Sequence, residues 1–295
     1  MLGPMLFQKI KICLALCRVN LSLFAACSAA TGYFLASYRD FLTVLGPASA
    51  VFLLACGASA LNQYQERDID AKMERTYNRP LPSGLIVPGL ALSFSLVLFV
   101  AGLVMLASTG GMRAMVLGSI AILWYNGVYT YLKRVTAFAS VPGAAVGMIP
   151  PAIGWVTGGG ELIDIRLAAI CLIFFLWQVP HFWLLLLTHG AEYERAGLPS
   201  VTRYMSRTQI ARISFAWIVA AAIAGLALPF YGSVRTPLVF YSLIITAAWL
   251  IWNGRALTWR KPLTLPGHAL FWKLNIYLFL IMSFLSLENI VLHMP

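Results

Sequence analysis

Long apolar runs, separated by short charged or Gly- and Pro-rich breaks, dominate the chain. The runs are about 20 residues long, and a helix of that length rises about 30 Å, the thickness of the hydrocarbon layer of a bilayer. They predict nine membrane-spanning helices, with approximate bounds 13–38, 41–62, 87–107, 112–132, 138–157, 165–188, 211–231, 236–257 and 270–292. The pattern therefore predicts an all-α, polytopic membrane protein, in which residues 1–295 form a single transmembrane domain.

Composition agrees with this pattern. Hydrophobic residues make up 60% of the 295 residues and charged residues 11%, whereas a typical soluble domain has about 45–50% apolar and about 25% charged residues. A soluble globular protein is thereby excluded. The five cysteines lie inside the apolar runs without metal-ligand spacing, so we expect them to pack in the interior.

The net charge of +11 is distributed unevenly over the predicted loops. With nine spans, all but four of the 21 lysines and arginines fall on the side of the N-terminus; the exceptions are Arg39, Arg113, Arg166 and Arg235. The positive-inside rule makes that side cytoplasmic. The positive charge is therefore explained by orientation in a lipid bilayer, and we expect no nucleic-acid partner. The same side holds the two longest connections, 63–86 and 189–210. We therefore expect a central cavity that opens to the cytoplasm beneath them.

An acidic cluster follows the second predicted span. Asn62, Glu66 and Asp70 are four residues apart, so on a continuing helix they stack on one face, where like charges repel. Magnesium would relieve the repulsion, because it takes carboxylate oxygens together with water and substrate phosphates. Arg75 and Arg79, also four apart, have the geometry to bind phosphate oxygens. The alternative is a solvated helix end whose carboxylates pair with neighbouring basic residues.

Several segments of the chain carry a resemblance to a known family. Besides Asn62, Glu66 and Asp70, they are DIDAKMERT (68–76), NRPLPSG (78–84), YTYLKR (129–134), PPAIGW (150–155), FLWQVPHFW (175–183) and EYERAGLP (192–199). In this order they resemble the motifs of the UbiA superfamily of intramembrane prenyltransferases, and they are most similar to its haem O synthase (protohaem IX farnesyltransferase) branch. The resemblance extends from about residue 13 to residue 290.

The resemblance implies a reaction. A farnesyl group would pass from farnesyl diphosphate to a vinyl side chain of protohaem IX, giving haem O in the bacterial plasma (inner) membrane, with a haem A synthase as a possible downstream partner. The expected catalytic residues are Glu66, Asp70 and Lys133. The expected ligands of Mg²⁺ are Asn62, Glu66, Asp70 and Glu192. The diphosphate would be bound by Arg18, Arg75, Arg79, Lys133 and Arg134.

Two departures from the family pattern stand in these motifs. Glu66 and Glu192 each occupy a position where the family has aspartate, and Ala196 replaces the second carboxylate of the later motif, as in the haem O synthase branch. A glutamate keeps the carboxylate and adds a methylene group. A catalytically lapsed homologue is therefore one of the alternatives.

Polar residues inside the apolar spans are candidates for binding the acceptor, because an ionisable or amide group is costly in a bilayer. They are His181, Asn126 and Tyr129. His181 has the chemistry to ligate haem iron or to hydrogen-bond a backbone carbonyl, and Asn126 to bond between helices. Arg18 has an alternative role as an interfacial, snorkelling side chain.

Two further functions remain open from the residues alone. One is a prenyltransferase of the same superfamily that acts on an aromatic or quinone-precursor acceptor, with the same metal site. The other is a transporter or a non-catalytic haem-binding membrane protein, which would need no diphosphate site.

Overall fold

The computed structural model describes residues 2–36, 41–259 and 267–292, and within these ranges it contains helices and no strand. The helices are α1 (Leu2–Cys17), α2 (Val19–Ala36), α3 (Leu45–Asp70), α4 (Pro88–Ile122), α5 (Thr130–Val135), α6 (Ser140–Gly143), α7 (Ile149–Thr157), α8 (Ile165–Arg195), α9 (Arg207–Ala227), α10 (Pro237–Gly254), α11 (Ala256–Trp259) and α12 (Gly267–Leu292). The all-α prediction is confirmed. Arg39, Arg260 and Lys261, which entered the charge distribution, lie outside the described residues.

Seven helical segments of the described chain are long and apolar enough to cross a membrane. They are Val19–Ala36, Leu42–Asp70, Pro88–Val135, Ile165–Arg195, Arg207–Tyr231, Pro237–Thr258 and Gly267–Leu292. The prediction of a polytopic helical membrane protein is confirmed by these segments. The predicted number of nine spans differs from these seven segments. One of the seven, Pro88–Val135, is 48 residues long, whereas a single span needs about 20 residues.

That long segment folds back on itself at Gly111. Gly111 has φ 70° and ψ −167°, a conformation that essentially only glycine adopts. On the far side of the break, a Cβ atom built on Gly118 would lie 2.6 Å from Leu106 Cδ1. Twelve residues along an unbroken helix would separate these two positions by about 18 Å. Residues 88–110 and 112–135 therefore pack side by side.

The first membrane-spanning helix, α2, begins at Val19, whereas the predicted span begins at residue 13. Residues 13–17 belong instead to a separate helix, α1, and the chain breaks between the two helices at Arg18, which has φ 46°. A non-glycine residue in this left-handed region is uncommon. The break is held by hydrogen bonds on both sides, from Leu21 N to Arg18 O (2.8 Å) and from Ser22 Oγ to Cys17 O (2.8 Å). Hydropathy missed the break because apolar residues continue through it.

Helix α7 lies against α2 with almost no side chain between the two backbones. A Cβ atom on Gly154 would lie 1.7 Å from Ala29 O, and one on Gly32 would lie 2.0 Å from Pro151 O. Small residues are typical of close helix contacts in membranes, where packing rather than the hydrophobic effect drives association. The contact fixes the irregular segment 140–157, which consists of α6, a 3₁₀ turn (Ala144–Met148) and α7.

Gly154→Ala is expected to destabilise the bundle by about 1–3 kcal/mol, the usual cost of overpacking, because the new methyl group meets backbone rather than a movable side chain. Thermal unfolding in detergent would measure the loss. Gly89→Ala is the matched control, since nothing lies within 4 Å of a Cβ at that position. Equal melting temperatures for the two variants would contradict the close packing of α2 and α7.

Candidate active site

The first acidic cluster lies on a continuous helix. Helix α3 runs to Asp70, two turns beyond the predicted end of the second span, so Asn62, Glu66 and Asp70 stack on one face. Their exposed fractions are only 2%, 6% and 4%, respectively. Asp68, on the opposite side of the helix, has 84% of its side chain exposed. The alternative of a solvated helix end therefore describes Asp68 and not the stacked face.

Each buried carboxylate of this face is paired with a cation. Lys133 Nζ lies 2.5 Å from Glu66 Oε1, and Arg79 Nη1 donates to both oxygens of Asp70 at 2.7 and 2.8 Å. Asn62 Nδ2 donates to Thr130 Oγ1 at 3.1 Å. Because a buried carboxylate without a partner is strongly destabilising, these cations explain how the two like charges coexist on one face. Two of the predicted diphosphate-binding residues thus form ion pairs with two of the predicted metal ligands.

A π-helical turn, Leu123–Tyr129, carries the residues that face this cluster. The wide turn is stabilised by Thr130 Oγ1, which donates to Tyr125 O (2.9 Å), and by Gln65 Nε2, which donates to Asn126 O (3.0 Å). Asn126 Nδ2 donates in turn to Ala58 O at 3.0 Å. Asn126 therefore bonds between helices, and the π-helical turn, a feature frequent at functional sites, stacks Tyr125 on Tyr129 with ring centroids 5.8 Å apart.

The second motif sits at the end of α8. Gly197 has φ 83°, Gly197 N donates to Glu194 O and Leu198 N donates to Tyr193 O, each at 3.0 Å, which is the Schellman pattern. This helix end places Tyr193 OH within 3.1 Å of Arg75 Nη2. This hydrogen bond joins the two segments predicted as the longest connections, 63–86 and 189–210. Glu192 pairs through Oε1 with His189 Nδ1 (3.0 Å), while its buried Oε2 has no partner in the described structure.

The other two predicted diphosphate ligands lie in different surroundings. Arg18 is half-buried at the break between α1 and α2, within electrostatic reach of Lys133 and His181. The guanidinium of Arg134 is exposed and donates to Gln65 O at 2.5 Å. The structure therefore brings Arg18 toward the interior and holds Arg134 against the backbone of α3.

His181 lies in α8 among aromatic rings. Its ring centroid is 4.6 Å from that of Trp177, 4.5 Å from that of Phe271 and 5.6 Å from that of Phe182. Phe182 stacks on Tyr129 (5.8 Å), and Lys133 Nζ lies 5.4 Å from the centre of the Tyr129 ring. A continuous series of rings thus joins His181 to the ion pair of Lys133 with Glu66.

Similarity to known proteins shows the family of this chain. The model of the UbiA prenyltransferase family matches residues 23–279. The chain belongs to the UbiA prenyltransferase family. Among similar proteins, protoheme IX farnesyltransferase of Geobacter sulfurreducens is 42% identical over 219 residues, covering 74% of this chain and 81% of that one. Protoheme IX farnesyltransferase 2 of Mesorhizobium japonicum is 36% identical over 253 residues, covering 82% and 79%.

Solved structures of other proteins share the fold of this chain. A digeranylgeranylglyceryl phosphate synthase superposes with a TM-score of 0.73 at 20% identity, covering 96% of this chain and 99% of that one. A UbiA homologue from Archaeoglobus fulgidus bound to DMAPP and Mg²⁺ gives 0.70 at 14% identity, covering 95% and 99%. The predicted membership of the superfamily is confirmed by the family model that matches residues 23–279.

The buried oxygen atoms of the stacked face on α3 are of the kind that bind magnesium. Among the described residues no three acidic, histidine or cysteine side chains converge into a protein-only metal site, so Glu192 does not join Glu66 and Asp70 there. Magnesium is commonly held by one or two carboxylates plus substrate phosphates. Glu66, Asp70 and the amide of Asn62, all buried on one face, fit such a shared site.

Sequence reasoning missed several members of the site. Gln65, Thr76 and Thr130 shape it through backbone hydrogen bonds, and Asn275 bonds to His181. Asn275 carried a usable signal, because it is an amide within an apolar span. The three others carried none, since their partners depend on the π-helical turn and the end of α3.

Proposed function

We propose that this chain transfers the farnesyl group of farnesyl diphosphate to a vinyl group of protohaem IX, giving haem O and diphosphate. The observation that carries the proposal is the buried face of Glu66 and Asp70, each paired with a cation suited to phosphate. It occurs in a chain of the UbiA family whose relatives are named protoheme IX farnesyltransferases.

The leaving diphosphate would lie between acidic and basic side chains. Asn62, Glu66 and Asp70 would hold Mg²⁺, and Glu192, which does not converge with them among the described residues, would be the ligand of a second metal ion from the second motif. Bound there, Mg²⁺ would neutralise charge on the departing oxygen. Lys133 and Arg79 would exchange their carboxylate partners for phosphate oxygens, and the others of the predicted set, Arg18, Arg75 and Arg134, supply further positive charge. Such preorganised charge is usually the largest catalytic contribution.

The farnesyl group would be transferred beside the series of aromatic rings that joins Lys133 to His181. When the bond between farnesyl C1 and oxygen breaks, its electron pair stays on diphosphate and the positive charge spreads over the allylic carbons. The faces of Tyr125, Tyr129 and Phe182 favour a cation. The vinyl π electrons of protohaem form the new carbon–carbon bond. Water then adds to the resulting cation beside the porphyrin and loses a proton, which gives the hydroxyl group of haem O.

We also propose nine spans around a cavity that opens to the cytoplasm of a bacterial inner membrane. The break at Gly111 supports two spans within residues 88–135, and the segment 140–157 has the position of a further, shorter one. The distribution of lysine and arginine supports a cytoplasmic N-terminus. The product would be consumed by an enzyme that oxidises haem O, such as a haem A synthase.

The acceptor is tested by competition between two classes of acceptor. Purified protein is supplied with farnesyl diphosphate, Mg²⁺ and an equimolar mixture of protohaem and 4-hydroxybenzoate, and the products are identified by mass spectrometry. We expect farnesylated haem and no farnesylated benzoate. Farnesylated benzoate alone would replace the proposal with an aromatic-acceptor prenyltransferase.

Metal and diphosphate are expected to bind together. A metal ion that arrives alone must displace Lys133 and Arg79, whereas diphosphate offers these cations new partners. Mg²⁺ should therefore tighten the binding of a thiolo analogue of farnesyl diphosphate by about 10-fold or more, as measured with radiolabelled analogue with and without EDTA. Lys72→Met, at an exposed position of the same connection, should keep this coupling. Identical affinities with Mg²⁺ and with EDTA would contradict the shared site.

A further inference from the structure

We propose that Asn275 is a positioning residue for the acceptor: it orients His181 so that the Nε2 lone pair of this histidine ligates the iron of protohaem. The inference rests on the proposed function, which supplies haem as the acceptor, and it is carried by a hydrogen-bonded pair between α8 and α12.

The orientation of the Asn275 amide is set by its own helix. Asn275 Nδ2 donates to Phe271 O, one turn earlier on α12, at 2.9 Å. The amide oxygen is therefore turned toward α8, where Oδ1 lies 3.0 Å from His181 Nδ1. An amide oxygen only accepts hydrogen bonds, so Nδ1 carries the proton and Nε2 of the neutral ring carries the lone pair.

The other ring nitrogen is available to a ligand. Nε2 has no hydrogen-bond partner among the described residues, and the histidine is only half-buried. Trp177 and Phe271 hold the ring on two sides, with centroids 4.6 and 4.5 Å away. A histidine that binds metal through one nitrogen typically donates its other N–H to an oxygen, which fixes both the tautomer and the direction of the lone pair. Asn275 provides that oxygen.

The position of His181 also suits the reaction. Phe182, the next residue, stacks on Tyr129, whose ring faces the Lys133 ammonium of the diphosphate site. Iron lies at the centre of the porphyrin and the vinyl groups at its edge. A haem held through its iron at His181 would therefore extend a vinyl group along this series of rings toward the farnesyl group.

The test is the iron–histidine stretching band of ferrous haem bound to the purified full-length protein, measured by resonance Raman spectroscopy. A stronger hydrogen-bond acceptor at Nδ1 gives the ligand more imidazolate character and raises the frequency. We expect Asn275→Asp to raise it, and Asn275→Leu to lower it and to weaken haem binding by about 10-fold. His181→Gly should lose the band and regain a five-coordinate imidazole complex when imidazole is added.

The control is Asn289→Leu, which removes the same kind of side chain from the same helix, where Asn289 Nδ2 donates to Leu285 O. It should leave the band and the haem affinity unchanged. Unchanged frequencies in both Asn275 variants would overturn the inference. Haem O formation by a protein without any histidine band would overturn it too, while leaving the proposed function intact. A band that depends on His181 and Asn275, without haem O formation, would instead overturn the proposed function.

Discussion

Asp70→Asn is expected to lower the rate of haem O formation by about 10³-fold. The substitution keeps the shape of the side chain and removes its charge, so the site loses a metal-binding oxygen and the partner that holds Arg79 in place. Loss of one preorganised electrostatic group in an active site typically costs 10²–10³-fold in rate, and here two interactions are lost together. Product is quantified by mass spectrometry after incubation with farnesyl diphosphate, protohaem and Mg²⁺.

Asp68→Asn is the matched control for this variant. Asp68 lies two residues before Asp70, and its side chain is almost fully exposed and 3.9 Å from Arg67. An exposed pair at this distance contributes little, so activity should stay within about twofold of the parent protein. If the two asparagine variants were equally active, the buried face of α3 would not be the catalytic site.

Lys133→Met is expected to reduce both stability and activity. Removing the lysine leaves Glu66 as a buried carboxylate without its cation. Breaking a buried pair in this way typically costs about 3–5 kcal/mol, and we expect about 3 kcal/mol because one fifth of the Lys133 side chain is exposed. Thermal unfolding in detergent measures the stability, and the haem O assay measures the activity.

The double variant Glu66→Gln/Lys133→Met separates the two effects. It contains no unpaired buried charge, so its melting temperature should recover most of the loss. Its activity should not recover, because both a metal ligand and a phosphate-binding cation are absent. A double variant that regained activity together with stability would show that the pair of Glu66 and Lys133 is purely structural.

The fold class followed from hydropathy because the bilayer makes two strict demands. A span must be apolar over about 30 Å and must satisfy its own backbone hydrogen bonds, and both demands leave a signal in any sequence. The break at Arg18 left no such signal. Gly111 did stand between two predicted spans, but the conformation that turns the chain there depends on packing between the two halves.

The shared face of the candidate site followed from the sequence because spacing along one helix determines which side chains lie close together. Asn62, Glu66 and Asp70 fall on one face for this reason alone, and the structure places them there. Contacts between different helices could not be predicted from the sequence. Lys133 was expected at the diphosphate, but its pairing with Glu66 requires the π-helical turn, and the pairing of His181 with Asn275 joins residues 94 positions apart.

The most direct measurement is the stoichiometry of the proposed reaction in liposomes that contain only this protein. Farnesyl diphosphate, protohaem and Mg²⁺ are supplied, and haem O and free diphosphate are quantified together. The account predicts one diphosphate released for each haem O formed, and about 10³-fold slower formation of both products by the Asp70→Asn variant. Diphosphate release without haem O, or a folded protein that forms neither product, would contradict it.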